Sequence, residues 1–366
     1  MQFNVKEIAT HFDLWGDFLW YERYGSGHIN DTFLIVFNQA GYQVRYILQR
    51  INTSIFQNPE GLMENIARVL EHSKKKLIGR RDATRRSLTL VNTCDGKHYY
   101  IDPQGFCWRV YLFIERARTY DVLESPNFAY QAAKAFGGFQ MLLADLPGKR
   151  LFEVIPNFHN TPSRLADFDK ALAADKCGRA ASAKAEIEFV QQHRQMASVI
   201  VDLLANGGIP ERITHNDTKI NNVMLDDETG EGICVIDLDT IMPGASLYDF
   251  GDLVRTSTSP AAEDEKDLSK VYARMEMYEA LAKGFLEGAG ACLTEKEIEL
   301  MPFSGELITF EIGIRFLTDY LSGDTYFKVH REGHNLDRCR TQFKLVQSLI
   351  EHEDEMNAIM KKLRAK

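Results

Sequence analysis

The chain has 366 residues, which is enough for a sizeable core and for two lobes rather than one compact unit. A formal net charge of −9 argues against nucleic acid or an anionic membrane as a partner, because both favour basic surfaces. The six cysteines are scattered without zinc-site spacing, and neither a secretory leader pattern nor an apolar run of about 20 residues is visible. We therefore expect a cytoplasmic protein with reduced cysteines, and a monomer is the simplest expectation.

The first third of the chain is rich in β-branched and aromatic residues, which favour strands. Strand patterns lie at 18–24, 32–37, 42–50, 87–93 and 107–115, and one helical pattern lies at 59–76. From about residue 125 onward the apolar spacing is almost entirely helical. This predicts an α+β fold with a small β-rich N-terminal lobe with one helix (1–115), a hinge near 113–127, and a large, mainly helical C-terminal lobe (116–366).

A glycine-rich segment, YGSGHIND at residues 24–31, lies between the first two strand patterns. Gly25, Ser26 and Gly27 predict a turn whose backbone N–H groups bind nucleotide phosphates, as a kinase glycine-rich loop does. Many glycine turns are plain hairpins, and only the position of this one ahead of a kinase-type catalytic segment favours phosphate binding. His28 either reaches the acceptor substrate from the roof of the cleft or bonds a local backbone group.

The third strand, YQVRYILQRIN, lacks the lysine with which kinases bind nucleotide phosphates at this position. Its alternation places Gln49 on the phosphate-facing side, where it offers only an uncharged hydrogen bond. We expect compensation from Arg50, Arg45 or a second metal ion. The adenine of a bound nucleotide is expected against the hinge strand at Phe113 and Ile114, although apolar residues there also suit a core.

The catalytic chemistry is concentrated in ITHNDTKINNVMLDDETGEGICVIDLDTIMPG, residues 213–244. Two short apolar runs joined by DDETGEG predict a hairpin, which brings Asn222 and Asp237 together and places Asp217 beside them. The spacing His-x-Asp-x-x-x-x-Asn is that of the protein-kinase catalytic loop, so the C-terminal lobe is expected to be protein-kinase-like. Asp217 is the predicted base, and Asn222 and Asp237 are the predicted Mg²⁺ ligands. A polar turn with local capping is the plainer alternative.

A second candidate metal ligand, Asp249, belongs to the letters D-F-G in YDFGD. It follows a Pro-Gly loop and begins a predicted helix, away from Asn222, so we do not assign it to magnesium. We expect Asp249 to cap that helix or to hold the catalytic loop by accepting backbone hydrogen bonds. His215, the first residue of the loop motif, is expected to support the loop in the same structural way.

Segments along nearly the whole chain, among them GHIN, RYIL, NTSIF, WRVYLFIE, THNDTK, IDLDTIMPG, RFLTDYLSGDTYF and RTQFKLVQ, resemble the aminoglycoside phosphotransferase and choline kinase-like family. The catalytic motif identifies this superfamily, and the C-terminal helical segments resemble its hexosamine-kinase branch. The resemblance implies ATP as phosphoryl donor, Asp217 as base, and Asn222 and Asp237 on Mg²⁺. Gln49 also fits this branch.

The same resemblance implies that the acceptor sugar is contacted by His28, Arg315 and Tyr326. It implies that Asp239 and Thr240 face the sugar or an additional metal ion. From the residues alone, Arg315 is a solvated arginine at the edge of an apolar helix face.

We therefore predict a kinase that transfers the γ-phosphoryl group of ATP to the anomeric hydroxyl of N-acetylglucosamine or N-acetylgalactosamine. One alternative is a kinase of the same fold for a cationic acceptor such as an aminoglycoside or choline. A second alternative, suggested by the missing lysine, is a nucleotide-binding protein without turnover.

Overall fold

The computed structural model describes residues 3–25, 29–120 and 125–365. Ser26, Gly27 and His28 therefore lie outside the described residues. Eleven strands and eleven α-helices are present in the described ranges. The strands are β1 (Asp17–Arg23), β2 (Asp31–Gln39), β3 (Tyr42–Ile51), β4 (Leu90–Val91), β5 (Tyr100–Ile101), β6 (Cys107–Leu112), β7 (Ala117–Arg118), β8 (Arg212–Thr214), β9 (Val223–Asp226), β10 (Gly232–Val235) and β11 (Met242–Gly244). The helices are α1 (Val5–Ala9), α2 (Pro59–Lys76), α3 (Pro126–Leu143), α4 (Thr161–Ala174), α5 (Lys184–His193), α6 (Val199–Ala205), α7 (Ser246–Ser257), α8 (Met275–Ala289), α9 (Glu295–Ser322), α10 (His334–Glu351) and α11 (Glu353–Arg364).

The N-terminal sheet is antiparallel, with strand order β1-β2-β3-β6-β4, and β5 pairs with β6. The strand predictions at 18–24, 32–37 and 42–50 are confirmed. The prediction at 107–115 runs three residues too far, because β6 ends at Leu112. The prediction at 87–93 shrinks to the two residues of β4, and the sequence did not predict α1 or β5.

The predicted alternation of β3 is confirmed by its burial. Tyr46 and Leu48 pack on one face of the sheet beneath α1, together with Trp108. Ile47 and Ile51 lie on the other face against α2, the helix that the sequence predicted at 59–76. Asn58 caps α2 by accepting the Gly61 N–H at 2.9 Å. Gln49 therefore shares the α2 side of the sheet with Ile47, as expected.

The C-terminal region is built from long helices, and α3 packs along α8. Glycines make this approach close, because a Cβ on Gly284 would lie 2.2 Å from the Tyr130 carbonyl oxygen. α9 packs between α7, α10 and α4, and Ile314, Leu317 and Leu321 form its fully buried face. Within the described ranges, no helix is both long enough and apolar enough to cross a membrane.

A small three-stranded sheet, β10-β9-β7, carries the predicted hairpin at 222–236. β7 pairs with β9, so the chain enters this sheet within five residues of leaving the N-terminal sheet at Leu112. The predicted lobe boundary at residues 115 and 116 falls between β6 and β7, and we retain it as a proposal.

Candidate active site

The segment after β8 forms the candidate catalytic loop, and His215 is buried beneath it. The His215 ring accepts the Asp217 backbone N–H at Nδ1 (3.3 Å), so its proton lies on Nε2. Nε2 donates to the Ile236 carbonyl at 2.8 Å, at the end of β10. His215 thus ties the loop to the hairpin that carries Asp237, which is a supporting position rather than a substrate contact.

Asp249 is fully buried in the first turn of α7 and binds the backbone of the catalytic loop. Its Oδ1 accepts the Asn216 N–H at 2.7 Å, and its Oδ2 accepts the His215 N–H at 3.0 Å. Gln140 on α3 donates to Oδ2 at 2.6 Å. The N-cap of α7 is Ala245, so Asp249 does not cap that helix. Burial raises the pKa of Asp249, and these donors oppose the rise.

Asp217 faces two polar neighbours from its own loop. The Lys219 ammonium lies 2.8 Å from Oδ1, and the Asn222 amide donates to Oδ2 at 3.3 Å and to the Asp217 carbonyl at 2.8 Å. Burial raises the pKa of Asp217, but the charge and hydrogen bond of Lys219 outweigh it, so the pKa lies below its ordinary value. Asp217 is therefore ionised at neutral pH and able to accept a proton.

The hairpin places Asp237 beside this loop, because the Ile236 N–H donates to the Asn222 carbonyl at 2.9 Å. Asp237 has a left-handed backbone with φ of 56°. Asp237 is exposed to solvent, but protein atoms surround its carboxylate and form a recess. Burial in that recess, together with the charges of Asp239 and Asp217, raises the pKa of Asp237 to about 6. The Asp237 carboxylate is therefore repelled by the negative charges of Asp239 and Asp217.

These oxygens fit a hard divalent cation, because an added positive charge relieves the repulsion between Asp217 and Asp237. Asn222 directs its Nδ2 to Asp217, which leaves its Oδ1 as an oxygen donor. In the described part of the chain, no three His, Cys, Asp or Glu side chains form a complete metal cage. A Mg²⁺ ion here would take its remaining ligands from water and nucleotide, as Mg²⁺ usually does.

Asp239 lies two residues further on but points into protein rather than toward the cleft. The side chain is 2% exposed, and its Oδ1 accepts from the Arg109 guanidinium. Its Oδ2 accepts from the Asn30 amide at 2.6 Å, so the free protein engages both carboxylate oxygens. Neither oxygen of Asp239 is thus free for a sugar or a metal ion in the described structure, and the expectation that it faces one stays a prediction.

The cation that lies beside Gln49 is Arg109 on β6, which the sequence analysis did not single out. It is directly opposite Gln49 in the β3–β6 ladder and is 1% exposed. Its Nε and Nη2 donate to Gln49 Oε1 at 3.0 and 2.8 Å, and Gln49 donates to Thr32 at 3.1 Å. Arg109 thus joins the N-terminal sheet to Asp239.

Neither of the arginines expected to compensate takes this place. Arg50 donates to Asp31 at 2.8 Å through Nε, at the outer edge of the same strand pair. Arg45 pairs with Glu115 and stacks on Phe113. Local carboxylates thus hold both guanidinium groups, so the structure does not support compensation by Arg50 or Arg45, and the second metal ion stays a prediction.

Thr240 forms hydrogen bonds with the catalytic loop. Its hydroxyl donates to the His215 carbonyl at 2.6 Å, and its carbonyl accepts from the Asn216 amide at 2.9 Å. The Thr240 hydroxyl is therefore engaged within the protein, and the expectation that Thr240 faces the sugar or an additional metal ion stays a prediction. The 237–240 turn and the catalytic loop hold each other through these two bonds.

Arg315 and Tyr326 line the same recess, which has a volume of about 200 Å³. The Arg315 guanidinium carbon lies 5.3 Å from the Phe158 ring centre, 6.0 Å from that of Tyr326 and 5.7 Å from that of Phe327. Arg164, Asp167, Thr318 and Thr325 are among the other lining residues. Arg315 is therefore held among rings and is not the solvated arginine expected from the helix pattern alone.

A buried hydrogen-bonded chain runs from α9, one turn before Arg315, to the catalytic loop. Glu311, one turn before Arg315 on α9, bonds His159 Nδ1 at 2.8 Å. The other ring nitrogen of His159 bonds the Asn216 carbonyl at 3.1 Å, next to Asp217. Thr161 donates to the second Glu311 oxygen at 2.6 Å. The helix that carries Arg315 and the loop that carries the proposed base are thus linked by buried hydrogen bonds.

Residues 20–284 match the model of a protein family described as the phosphotransferase enzyme family. The chain belongs to this family. It is similar to the structure of an aminoglycoside phosphotransferase from Alicyclobacillus acidocaldarius, with a TM-score of 0.57 and 14% identity over 100% of this chain and 96% of that chain.

Two further solved structures are similar. One is a microcompartment-associated aminopropanol kinase (TM-score 0.56, 13% identity, 96% of this chain and 97% of that chain). The other is a choline kinase from Cryptosporidium parvum (TM-score 0.53, 14% identity, 94% and 92%). At such identities the likeness establishes the fold, and it confirms the predicted two-lobed, kinase-like architecture. The chain is thus a phosphotransferase enzyme, as predicted.

The nucleotide side of this phosphotransferase is described only in part. Gly25 has φ of 78°, a conformation that favours glycine, and a Cβ there would meet no atom within 4 Å. The Phe113 N–H already donates to the Arg45 carbonyl at 3.1 Å, so adenine cannot use that group. The Ile114 side chain is buried with Ala117 and Ile233, which is the core alternative. The other backbone groups of this segment stay candidates for adenine.

Proposed function

We propose that this phosphotransferase transfers the γ-phosphoryl group of ATP to the anomeric hydroxyl of N-acetylglucosamine or N-acetylgalactosamine, giving the 1-phosphate. Membership of the family supports a small-molecule kinase that uses a nucleotide donor. The choice of a neutral, hydroxylated acceptor rests on one observation, the position of Arg315 among three aromatic rings.

Aromatic rings around a cleft are the usual way to bind a quaternary or protonated amine. Here the cation among the rings of Phe158, Tyr326 and Phe327 is the protein's own Arg315. A second guanidinium, Arg164, lines the same recess, and its pKa is lowered by burial and by the charge of Arg315. The recess also contains two carboxylates, and one of them, Asp319, already accepts the backbone N–H groups of residues 325–327. An added ammonium group would therefore meet two guanidinium charges and one exposed carboxylate, Asp167, which disfavours choline or an aminoglycoside as acceptor.

The same recess suits a sugar. Arg315 and Arg164 offer donors, Asp167 and Thr318 offer acceptors, and the exposed Tyr326 ring offers a flat apolar face. The Arg164 Nε atom is buried without a partner within the described residues. We assign His28, which lies outside the described residues, to the opposite side of the same acceptor on the strength of the sequence.

In the proposed mechanism Asp217 accepts the proton of the sugar O1 hydroxyl and orients that oxygen toward the γ-phosphorus. Lys219, 2.8 Å from Asp217, keeps the carboxylate ionised before the transfer and stabilises charge near the attacking oxygen. Asn222 and Asp237 would hold Mg²⁺, which neutralises phosphate charge when bound. Gly25 and its neighbours would cover the phosphates with backbone N–H groups.

The test is coupled ADP release with ATP and Mg²⁺ across N-acetylglucosamine, N-acetylgalactosamine, glucose, galactose, choline and kanamycin. Phosphorus NMR of the product should give an anomeric phosphate doublet with an N-acetylhexosamine. Activity only on choline or kanamycin would overturn the sugar assignment. ATP binding without ADP release for any acceptor would favour the silent nucleotide-binding alternative.

Two arginine variants test whether Arg315 binds the acceptor. Arg315→Met should raise KM for the sugar by roughly 10- to 100-fold, the loss of a charge-assisted hydrogen bond, while KM for ATP changes little. Arg340→Met removes an arginine on α10 that pairs with Glu186 on α5 and does not line the recess, so it serves as control. Equal effects of both variants on the sugar KM would contradict the assignment of the recess.

A further inference from the structure

The turn after α9, residues 323–327, carries two of the three rings that surround Arg315. Its first two residues, Gly323 and Asp324, both have left-handed backbones, with φ of 96° and 58°. This reversal directs residues 325–327 back toward the last turn of the helix. The left-handed conformation is unfavourable for a residue with a side chain, so other contacts must hold the turn at Asp324.

One side chain in the last turn of α9, that of Asp319, binds the backbone of the 323–327 turn. Its Oδ1 atom accepts the N–H groups of Thr325 and Tyr326, both at 2.8 Å, and its Oδ2 atom accepts that of Phe327 at 2.9 Å. Oδ2 also accepts from the Asn335 amide on α10 at 2.9 Å. Asp319 is buried. Because hydrogen bonds to a carboxylate are stronger than those between neutral groups, this one residue fixes three consecutive residues of the turn.

Two further elements hold the same turn at Asp324. The Asn335 amide nitrogen donates to Asp324 Oδ1 at 2.9 Å, and the Arg179 guanidinium donates to Oδ2 at 2.6 Å. Arg179 also donates to the Tyr320 carbonyl at 2.8 Å, in the last turn of α9. The turn is thus fixed from three elements, which are α9, α10 and the segment after α4.

The Tyr326 ring depends on these backbone contacts, because the residue is 63% exposed and has little packing of its own. Phe327, by contrast, packs against Phe316, with the two ring centres 4.6 Å apart. A ring that is fixed before binding loses less conformational entropy when a ligand packs against it. Loss of the Asp319 contacts should therefore affect Tyr326 more than Phe327.

We propose that Asp319 is a positioning residue for the acceptor. It holds the Tyr326 ring beside Arg315 and so determines how tightly the acceptor binds, without touching the reacting atoms. This inference rests on the proposed function, which places the acceptor in this recess.

A direct contact between Asp319 and the acceptor is the competing role, since Asp319 also lines the recess. A carboxylate has about four lone-pair positions, and the N–H groups of residues 325–327 and of Asn335 already occupy them. A sugar hydroxyl would have to displace one of these donors. The contacts therefore support an indirect role, through the turn.

The first measurement is hydrogen exchange of the full chain without acceptor. Asp319→Asn keeps the side-chain size but replaces one acceptor oxygen by a donor, so the amide protons of residues 325–327 should exchange roughly tenfold faster than in the wild type. Asp169→Asn is the matched control, since Asp169 on α4 pairs with Arg194 at 2.7 Å and does not line the recess. Unchanged exchange in Asp319→Asn, or equally faster exchange in both variants, overturns the proposal.

The second measurement separates positioning from general damage. It uses the acceptor that gives the highest kcat/KM in the ADP-release assay. Asp319→Asn should raise the KM for that acceptor by roughly tenfold or more, and it should change kcat and the KM for ATP by less than about threefold. A loss of kcat with an unchanged acceptor KM, or an equal rise in the KM for ATP, overturns the assignment.

A double-variant cycle tests whether Asp319 acts through Tyr326. In a Tyr326→Ala background the ring is gone, so adding Asp319→Asn should raise the acceptor KM by no more than about threefold. Increases in KM that multiply in the double variant would mean that Asp319 acts by another route, which also overturns the proposal. If Asp319→Asn does not fold, Asn335→Ala takes its place, because it removes one donor from Asp319 and one from Asp324 and should change the exchange and the KM in the same direction.

Failure of the proposed function is distinguishable from failure of this inference. Turnover of choline or kanamycin alone overturns the sugar assignment only, because the Asp319 measurements use whichever acceptor is active. An unchanged acceptor KM in a variant whose turn exchanges faster overturns the positioning role only. Absence of turnover with every acceptor overturns both.

Discussion

The buried pair of Arg109 and Asp239 allows the most stringent test of how the two lobes are joined. Arg109→Met keeps most of the side-chain volume but leaves Asp239 buried with only the Asn30 amide as partner. Removing one member of a buried ion pair typically costs about 3–5 kcal/mol, because the remaining charge is neither solvated nor paired. Gln49 also loses two donors to its Oε1 atom. We therefore expect a loss of about 3–5 kcal/mol in the free energy of unfolding.

The control is Arg45→Met in the same sheet. Arg45 also pairs with a carboxylate, Glu115, but the two side chains are 36% and 51% exposed, and exposed pairs contribute only about 0–1 kcal/mol. A double variant, Arg109→Met with Asp239→Asn, removes the unpaired charge and should recover more than half of the lost stability.

Urea denaturation followed by tryptophan fluorescence and by circular dichroism gives the free energies, and agreement of the two signals checks that unfolding is two-state. A loss within 1 kcal/mol of that of Arg45→Met would refute the reasoning, because it would mean that Asp239 is rehydrated or repaired elsewhere. A double variant no more stable than the single one would refute it equally, since the unpaired charge would then not be the cause.

Three other predictions follow from the site and the core. Asp217→Asn should lower kcat by roughly 10²–10⁴-fold and leave the affinity for an ATP analogue nearly unchanged; loss of that affinity in a folded variant would contradict its role as base. Asp249→Asn should lower kcat by roughly 100-fold with a smaller effect on KM, because an amide N–H replaces one acceptor of the loop backbone; wild-type kinetics would exclude this role. Burial, together with Glu353, raises the pKa of Glu306 to about 8. The folded protein then holds a proton that the unfolded chain loses above pH 4.5, so stability falls as pH rises from 4.5 to 8, by up to about 1.4 kcal/mol per unit. Glu306→Gln should flatten this slope between pH 5 and 8 in urea titrations, and an unchanged slope would assign it to another group.

Local patterns predicted much of this fold because local physics determines it. The alternation of β3, the capped helix α2 and the hairpin of β9 and β10 each depend on residues close in the chain. The meeting of Asn222 and Asp237 follows from the same hairpin, since antiparallel pairing brings its outer ends together. The bounds of β4 and the presence of β5 could not be predicted, because two residues carry no usable period.

The position of Arg109 shows what such patterns cannot supply. In WRVYLFIE it is one charge in an apolar strand, and nothing nearby reveals its partner, since Asp239 lies 130 residues further along. The arginines that did attract notice, Arg45 and Arg50, are satisfied by Glu115 and Asp31. A single charge inside a buried strand is nevertheless informative, because burial requires a distant partner of opposite sign.

The surroundings of Arg315, which bear on the choice of acceptor, also could not be predicted from local patterns. The period of α9 correctly predicts the buried face of Ile314 and Leu317, and it places Arg315 at the edge of that face, where an arginine is normally solvated. The rings that enclose it come from elsewhere, Phe158 from the segment before α4 and Tyr326 from the turn after α9. Because they position a cation that belongs to the protein, the recess offers a second cation repulsion rather than attraction. Replacing Arg315 by a neutral residue therefore does more than remove a donor, since it vacates an aromatic cage. Arg315→Met should therefore combine the higher KM for the sugar with an affinity for choline, measured by titration, that rises above that of the wild-type enzyme; an unchanged or lower affinity for choline would contradict this reading of the recess.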